Sequence, residues 1–124
     1  MSDLADRMKA DALEAQRFSR KHLVLELDFS EHSIDQIESH VDTVEYAIKG
    51  GLSDENVDML SRIWGAYIGE SLRKQCGGEW LDEAGSLRLQ TGKGSATPQA
   101  HVRQRLTAGG QHLGDYFRET IKQL

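Results

Sequence analysis

Apolar residues recur at steps of three and four between Ser53 and Trp80, and this spacing predicts one long helix around which the chain is organised. The apolar positions are Val57, Leu60, Ile63, Trp64, Tyr67, Ile68 and Leu72. Ser53 is a suitable N-cap, and Gly77–Gly78 can end the helix because glycine accepts a positive φ. Gly65 and Gly69 lie inside the helix on one face, and each costs about 1 kcal/mol of helix propensity relative to alanine. We therefore expect another backbone to approach the helix closely at these two glycines.

The chain before Ser53 carries three weaker patterns. Residues 3–20 predict an amphipathic helix that packs loosely at the N-terminus. Residues 23–29 are rich in bulky apolar side chains and alternate at their end, which favours a short strand over a simple extended connection. A second helix is predicted from about Ser30 or Ser33 to Lys49, and Gly50–Gly51 ends it. Because its loop to Ser53 is short, the second helix and the long helix should form an antiparallel hairpin.

The chain after Trp80 predicts a β-hairpin and then two more helices. Two short extended runs flank a glycine turn in residues 81–90, and a mobile polar loop follows over residues 91–96. Thr97–Pro98 marks the start of a helix, with proline at the first helical position, and Gly109–Gly110 ends it. A final helix runs to Leu124. We therefore predict one mainly helical α+β domain over residues 1–124, made of an antiparallel helical hairpin, a small β-hairpin and two C-terminal helices.

Composition narrows the class of protein. A chain of 124 residues with 38% hydrophobic and 28% charged residues is long enough for one hydrophobic core and is typical of a soluble globular protein. It contains no apolar run of membrane-spanning length, and its N-terminus lacks the apolar segment of a secretion signal. The single cysteine, Cys76, agrees with a reducing compartment. These features predict a cytoplasmic protein with no membrane partner.

One motif spans the long helix and the elements after it. Its residues are Trp64-Gly65-Ala66-Tyr67-Ile68-Gly69-Glu70, then Gly78-Glu79-Trp80, then Pro98 with Val102, Arg105, Leu106 and Gly109. This arrangement resembles a small bacterial domain family of unknown function, in which such a helix leads to a tryptophan turn, a hairpin and a helix begun by proline. The resemblance covers roughly residues 53–120 and implies no established activity. In size and acidity the chain also resembles the immunity proteins that bacteria keep beside secreted toxins.

Glu70 and Glu79 are the candidates for acid–base chemistry, because such chemistry needs two carboxylates in different environments. With Tyr67 and Trp80 they would form a small hydrolase-like site. Glu70 can equally pair with Arg73, which lies one turn further along the same helix. An enzyme therefore stays one of the alternatives, with Glu70 and Glu79 as its acid and base.

Other chemical signatures fail on their spacing. Cys76 is followed by two glycines, but no motif ties a histidine to it as a nucleophile's base would require. The stretch Gly92-Lys93-Gly94-Ser95 has Leu87 where a phosphate loop needs its first glycine. The histidines lack the spacing of a metal site, so we expect no metal and no cofactor. They are His22, His32, His40, His101 and His112.

Charge is distributed unevenly along the chain, whose formal net charge is −5. Residues 26–58 contain ten acidic residues against Lys49 alone, whereas residues 88–124 carry six basic and two acidic residues. On the second predicted helix five carboxylates recur at steps of four and three beside the apolar stripe, and we name them the acidic ridge. Neighbouring like charges at these steps destabilise a helix by about 1–2 kcal/mol in total. The acidic ridge consists of Glu31, Asp35, Glu38, Asp42 and Glu45.

Two explanations fit the acidic ridge. Its carboxylates are either solvated or paired with the basic C-terminal helices of the same chain, or they form a docking surface for a basic protein partner. The ridge would repel nucleic acid, and the basic segment lacks interleaved aromatic residues. The docking explanation predicts a non-enzymatic immunity-type protein that neutralises a cognate bacterial toxin. The alternatives are the Glu70/Glu79 enzyme and a dimeric adaptor or chaperone that associates through the helical hairpin.

Overall fold

The computed structural model describes residues 3–124, so Met1 and Ser2 of the predicted domain lie outside the described residues. Between Asp3 and Leu124 the chain forms six helices and a small antiparallel sheet of three strands, which confirms a mainly helical α+β fold. The elements in chain order are α1 Asp3–Leu23, α2 Glu31–Glu38, α3 Val44–Ala47, α4 Asp54–Cys76, β1 Glu79–Glu83, β2 Ser86–Gln90, β3 Ser95–Ala96, α5 Pro98–Ala108 and α6 Leu113–Gln123.

The long helix predicted from the apolar spacing is α4, and it forms the centre of the core. Its start is capped as expected, since Ser53 Oγ accepts a hydrogen bond from the Asn56 amide at 3.2 Å. Its end is marked by Gly77, whose φ is +76°. Residues 63–72 are buried without exception, because α1 and α5 pack against opposite parts of the helix. The indole of Trp64 donates a hydrogen bond to Ser19 Oγ of α1 at 3.4 Å.

The two glycines of α4 lie where neighbours come closest. A Cβ atom at Gly65 would stand 2.5 Å from the Cα atom of Gln99 in α5, so the prediction of close backbone approach is confirmed there. A Cβ atom at Gly69 would instead overlap the indole ring of Trp80 in β1, with Pro98 beside it. The glycine pair therefore seats the start of α5 and the first strand directly on α4.

Two predictions for the segment before α2 are wrong. The N-terminal helix is not loosely packed, because α1 buries residues such as Ala12, Ala15 and Phe18 in the common core. Residues 24–28 form an extended connection rather than a strand. Their alternation comes from packing, since Leu25 and Leu27 are buried while Val24 is 87% exposed with a positive φ of 56°. No neighbouring strand is needed for that pattern.

The second predicted helix is divided into α2 and α3 by turns at residues 39–43. Ser39 Oγ donates to the carbonyl of Gln36 at 2.6 Å, and His40 Nδ1 lies 3.0 Å from the same oxygen. These side chains compete with the helical hydrogen bonds, which explains the break. The apolar positions Val41 and Val44 stay buried, so the periodicity reports the buried face correctly although the helix is interrupted.

The predicted antiparallel hairpin of the second helix with α4 is also wrong. Helix α2 packs mainly against α6, and α4 packs mainly against α1 and α5. The principal link from α2 to α4 is polar: the hydroxyl groups of Ser33 and Tyr67 form a hydrogen bond of 2.6 Å. An adaptor that dimerises through such a hairpin therefore lacks the surface on which it was predicted.

The β-hairpin and the two C-terminal helices are confirmed. Strands β1 and β2 pair antiparallel around the Ala84–Gly85 turn, and the buried residues Trp80 and Leu89 face each other in this register. The sequence analysis missed the short strand β3, in which Ala96 pairs with Leu89. Helix α5 begins at Pro98 as predicted, although the Thr97 side chain makes no capping hydrogen bond.

Candidate functional site

Two carboxylates of the acidic ridge pair with Arg118 of α6. Its guanidinium nitrogens lie 3.2 Å from a carboxylate oxygen of Glu31 and 3.0 Å from one of Asp35, and they also contact Asp115 at 2.9 Å. The hydrogen bonds that Arg118 donates to Asp115, Asp35 and Glu31 raise its pKa above the ordinary value. Asp35 also lies so close to Gly114 that a Cβ atom there would collide with the carboxylate. Glu31 and Asp35 thus help to seat α6 on α2.

Glu38 has the least exposed side chain of the ridge. It pairs with Arg105 of α5 at 2.7 Å, and each of the two side chains is only 12% exposed. Its Oε1 atom also accepts a hydrogen bond from the backbone amide of Leu113 at 2.7 Å. Because Leu113 is the first residue of α6, the carboxylate satisfies an amide at the positive end of that helix. Hydrogen bonds from Arg105 to Glu38 raise the pKa of Arg105.

The outer part of the ridge remains open to solvent, and we name Asp42, Glu45 and Tyr46 the acidic corner. The Asp42 side chain is 87% exposed and lies 3.8 Å from Arg105, which is already engaged by Glu38. Within residues 3–124 Glu45 forms no salt bridge, and the neighbouring Tyr46 is 83% exposed. A cavity of 290 Å³ adjoins the corner, with Leu52 and Leu106 among its apolar lining residues.

The premise that the whole ridge is uncompensated is therefore wrong. Pairing within the chain holds for Glu31, Asp35 and Glu38, and only Asp42 and Glu45 keep the character of a free acidic surface. The physical reason is the packing of α6 and α5 against this side of α2, which brings Arg118 and Arg105 to the carboxylates. Helical periodicity reports the spacing of charges on one helix and carries no information about which distant arginines meet them.

Glu70 of the α4 motif is a buried carboxylate that joins two elements. It accepts hydrogen bonds from Arg73 Nε at 2.8 Å and from Trp80 Nε1 at 2.9 Å. Burial alone would raise the pKa of Glu70, but these hydrogen bonds and the positive charges of Arg73 and Lys9 outweigh it, so the pKa lies below its ordinary value. Glu70 is accordingly ionised at neutral pH, which does not suit a general acid.

Glu79 lies near Glu70, as an acid–base pair would require. Both carboxylates line a cleft of 250 Å³ together with Trp80 and Lys9. Tyr67 does not line this cleft. Its hydroxyl group is buried, accepts the backbone amide of Phe29 at 2.6 Å and is hydrogen-bonded to Ser33, and burial raises its pKa. The structure thus brings together three of the four residues of the predicted hydrolase-like site and assigns Tyr67 to the core.

The remaining chemical candidates make ordinary contacts. The loop at residues 91–94 folds on its own threonine, because Thr91 Oγ1 accepts the backbone amides of Lys93 at 3.1 Å and Gly94 at 3.2 Å. Cys76 is half-buried at the end of α4. Between Asp3 and Leu124 no group of three or more histidine, cysteine or carboxylate side chains is arranged to hold a metal ion.

Sequence reasoning missed a second cleft, which adjoins the first. It has a volume of 230 Å³ and shares Lys9, Glu70 and Arg73 with the cleft at Glu79. Its other lining residues are Ala12, Leu13, Phe29 and Lys74. These residues come from α1, from the connection before α2 and from the end of α4, so no local pattern could have indicated that they meet.

The fold and these surfaces define a small, mainly helical α+β protein with one open acidic corner and one pair of clefts lined by cations. Comparison of the chain with protein-family models, curated proteins and solved structures found no significant match. The resemblance of the α4 motif to a bacterial domain family therefore stays a prediction. None of the helices described between residues 3 and 124 has the length and apolar character needed to cross a membrane.

Proposed function

We propose that this chain is a binding protein for a basic protein surface, most concretely an immunity-type protein that neutralises a cognate bacterial toxin. The acidic corner would make the contact. The observation that carries this proposal is the occurrence of two exposed carboxylates, Asp42 and Glu45, together with the exposed aromatic ring of Tyr46. Asp42 has a contact of 3.8 Å with Arg105, whose closer partner is Glu38. Tyrosine is enriched at protein interfaces because its ring offers a large contact area and its hydroxyl group a polar end.

The cavity beside the acidic corner supports a basic partner. Its carboxylates, Asp42 and Glu45, lie at the same cavity as the apolar side chains of Leu52 and Leu106. Arg105 also lines this cavity, but its charge is paired with Glu38. A lysine or arginine side chain has matching parts, an apolar stem and a charged end. Such a side chain of the partner would place its stem against the two leucines and its charge beside the carboxylates.

The test is capture of the protein encoded by the neighbouring reading frame, because an immunity gene lies beside its toxin gene. The double variant Asp42→Lys, Glu45→Lys should lose binding by at least tenfold at physiological salt, and Tyr46→Ala should weaken it as well. The matched control is Glu14→Lys, Asp82→Lys, which changes the net charge equally at other exposed positions. Asp35 and Glu38 are left intact because their reversal would break internal ion pairs.

Retained binding by the corner variant, with the control also unchanged, would exclude the acidic corner as the contact surface. A neighbouring protein that is neither basic nor toxic would contradict the immunity-type function while leaving a binding function in place. Pull-down from the native cell then identifies which protein, if any, the corner captures.

The enzyme alternative rests on one observation, the cleft shared by Glu70 and Glu79. Against it, both oxygens of Glu70 accept hydrogen bonds from Arg73, and one of them also accepts from Trp80. A base engaged in this way has little freedom to take a proton from a substrate. The contacts of Glu70 thus support a structural role, and binding remains the proposal.

A further inference from the structure

We propose that the two adjoining clefts at Lys9 and Arg73, here named the cationic cleft, bind a small carboxylate that carries a short apolar chain. This site is separate from the acidic corner, since the two surfaces share no lining residue. The proposal for the cationic cleft therefore does not depend on whether the acidic corner binds a protein partner.

The charges at the shared edge favour an anion. Lys9 and Arg73 line both clefts and Lys74 lines one, so three cations meet two carboxylates, those of Glu70 and Glu79, in a chain whose net charge is −5. Within residues 3–124 neither lysine forms a salt bridge. The contacts of Arg73 with Glu70 use only its Nε and Nη2 atoms. A guanidinium and two ammonium groups would form charge-assisted hydrogen bonds with a ligand carboxylate.

The wall of the 230 Å³ cleft suits an apolar chain. Ala12, Leu13 and Phe29 supply its apolar surface. Leu13 is 49% exposed although it belongs to a helix whose other large apolar residues face the core. Such an exposed apolar residue at the mouth of a concave site is a natural contact for a ligand.

Phe29 is held in a strained conformation at this wall. Its φ is +66°, which lies in the left-handed region that phenylalanine rarely adopts. The conformation is maintained by Tyr67, whose hydroxyl group accepts the Phe29 amide and whose ring stacks on the Phe29 ring with centroids 4.7 Å apart. Lys74 Nζ lies 4.8 Å from the centroid of the same ring. Strained residues of this kind are concentrated at ligand sites, where the surrounding structure keeps them in place.

The size of the site limits the ligand. Each cleft is smaller than the roughly 300–1,000 Å³ of pockets that enclose drug-sized molecules. A carboxylate group at the shared edge and a short alkyl chain along the Leu13 wall fit the 230 Å³ cleft. The class of ligand is accordingly a short- or medium-chain carboxylic acid anion.

Isothermal titration with acetate, butyrate, hexanoate and octanoate at pH 7 and constant ionic strength tests the proposal. Affinity should rise about fourfold for each methylene that enters the cleft. Octanol, which has the chain without the charge, should bind at least tenfold more weakly than octanoate. The fluorescence of Trp80 provides a second readout, because its indole lines the adjoining cleft and donates to Glu70.

The variant Lys9→Gln, Lys74→Gln should weaken octanoate binding at least tenfold. Both side chains lie on the surface and form no salt bridge within residues 3–124, so the variant should stay folded, with a small decrease in melting temperature from the lost contact of Lys74 with the Phe29 ring. The matched control is Lys93→Gln, Lys122→Gln, which removes the same charge elsewhere and should bind octanoate like the wild type. Leu13→Gln should reduce the gain from chain length while leaving acetate binding unaltered. Equal binding of octanol and octanoate, or an unaffected Lys9/Lys74 variant, would overturn the proposal.

Discussion

Replacing Glu38 by alanine should destabilise the protein strongly, although Glu38 belongs to a row of surface carboxylates. The substitution removes the partner of Arg105, which is only 12% exposed, and leaves the amide of Leu113 without its acceptor. Breaking a buried ion pair by removing one member costs about 3–5 kcal/mol, and losing a helix-capping carboxylate costs about 0.5–2 kcal/mol. Because the pair is partly hydrated, we expect the loss of unfolding free energy to lie near the lower end, at about 3 kcal/mol.

Urea unfolding followed by circular dichroism and tryptophan fluorescence measures this loss. For a chain of this size about 3 kcal/mol corresponds to a decrease of roughly 12 °C in the melting temperature. The matched control is Asp42→Ala, which removes a carboxylate near the same arginine. Asp42 is exposed and lies 3.8 Å from Arg105, so its removal should cost less than about 0.5 kcal/mol.

A double-mutant cycle separates the ion pair from the helix cap. Glu38→Ala with Arg105→Met removes both charged groups, and the coupling energy of the pair should be about 1.5–3 kcal/mol. A loss below about 1 kcal/mol for Glu38→Ala alone would refute the structural role of Glu38. The docking explanation would then apply to Glu38 as well as to Asp42 and Glu45.

Three further substitutions test the contacts around α4. Gly69→Ala should destabilise the protein by about 1–3 kcal/mol in urea unfolding, because its Cβ atom would overlap the ring of Trp80. Glu70→Gln should have a lower free energy of unfolding than the wild type at neutral pH, and this difference should become smaller as pH falls below about 4.3. The pKa of Glu70 is lowered by folding, so its contribution is complete above the unfolded-state pKa and is lost as pH falls through the folded-state value. Tyr67→Phe should cost about 1–3 kcal/mol, since it leaves the partly buried Phe29 amide without its acceptor and removes the hydrogen bond to Ser33.

The controls for these substitutions come from the same chain. Gly92→Ala should be neutral in the same unfolding assay, since a Cβ atom at Gly92 meets no atom within 4 Å. Glu79→Gln, at an exposed position, should leave the free energy of unfolding at neutral pH nearly unchanged. A neutral Gly69→Ala variant, a pH-independent stability gap at Glu70 or an unchanged Tyr67→Phe variant would each contradict the contact on which it depends.

The sequence indicated the local elements better than their packing. The start and end of α4, the β-hairpin and the proline-begun α5 follow from capping residues, glycines and periodicity, which act over a few residues. The break between α2 and α3 depends on the polar side chains of Ser39 and His40, which both contact the main-chain carbonyl oxygen of Gln36. Competition between side-chain and helical hydrogen bonds changes the free energy only slightly, and the spacing of apolar residues carries no information about it.

The packing partners of the helices were less predictable. An apolar stripe indicates which face of a helix is buried, but it does not indicate which other element covers that face. The stripe of α2 is buried against α6, which lies far along the chain, instead of against its sequence neighbour α4. The same limit applies to the candidate sites. Glu70 and Glu79 were found through a local motif, whereas the cationic cleft joins Lys9, Phe29 and Lys74 from three separate segments.

Because three of the five ridge carboxylates are paired within the chain, this surface has few charges left to bind a basic partner. With Glu31, Asp35 and Glu38 engaged by arginines, the corner itself offers two exposed carboxylates, Asp42 and Glu45, of which Asp42 lies 3.8 Å from Arg105. Exposed charges of this kind mainly increase the association rate and are screened at physiological salt. A tight complex must therefore obtain its long residence time from contacts that exclude water, and the ring of Tyr46 with the apolar lining of the neighbouring cavity supplies the surface for them.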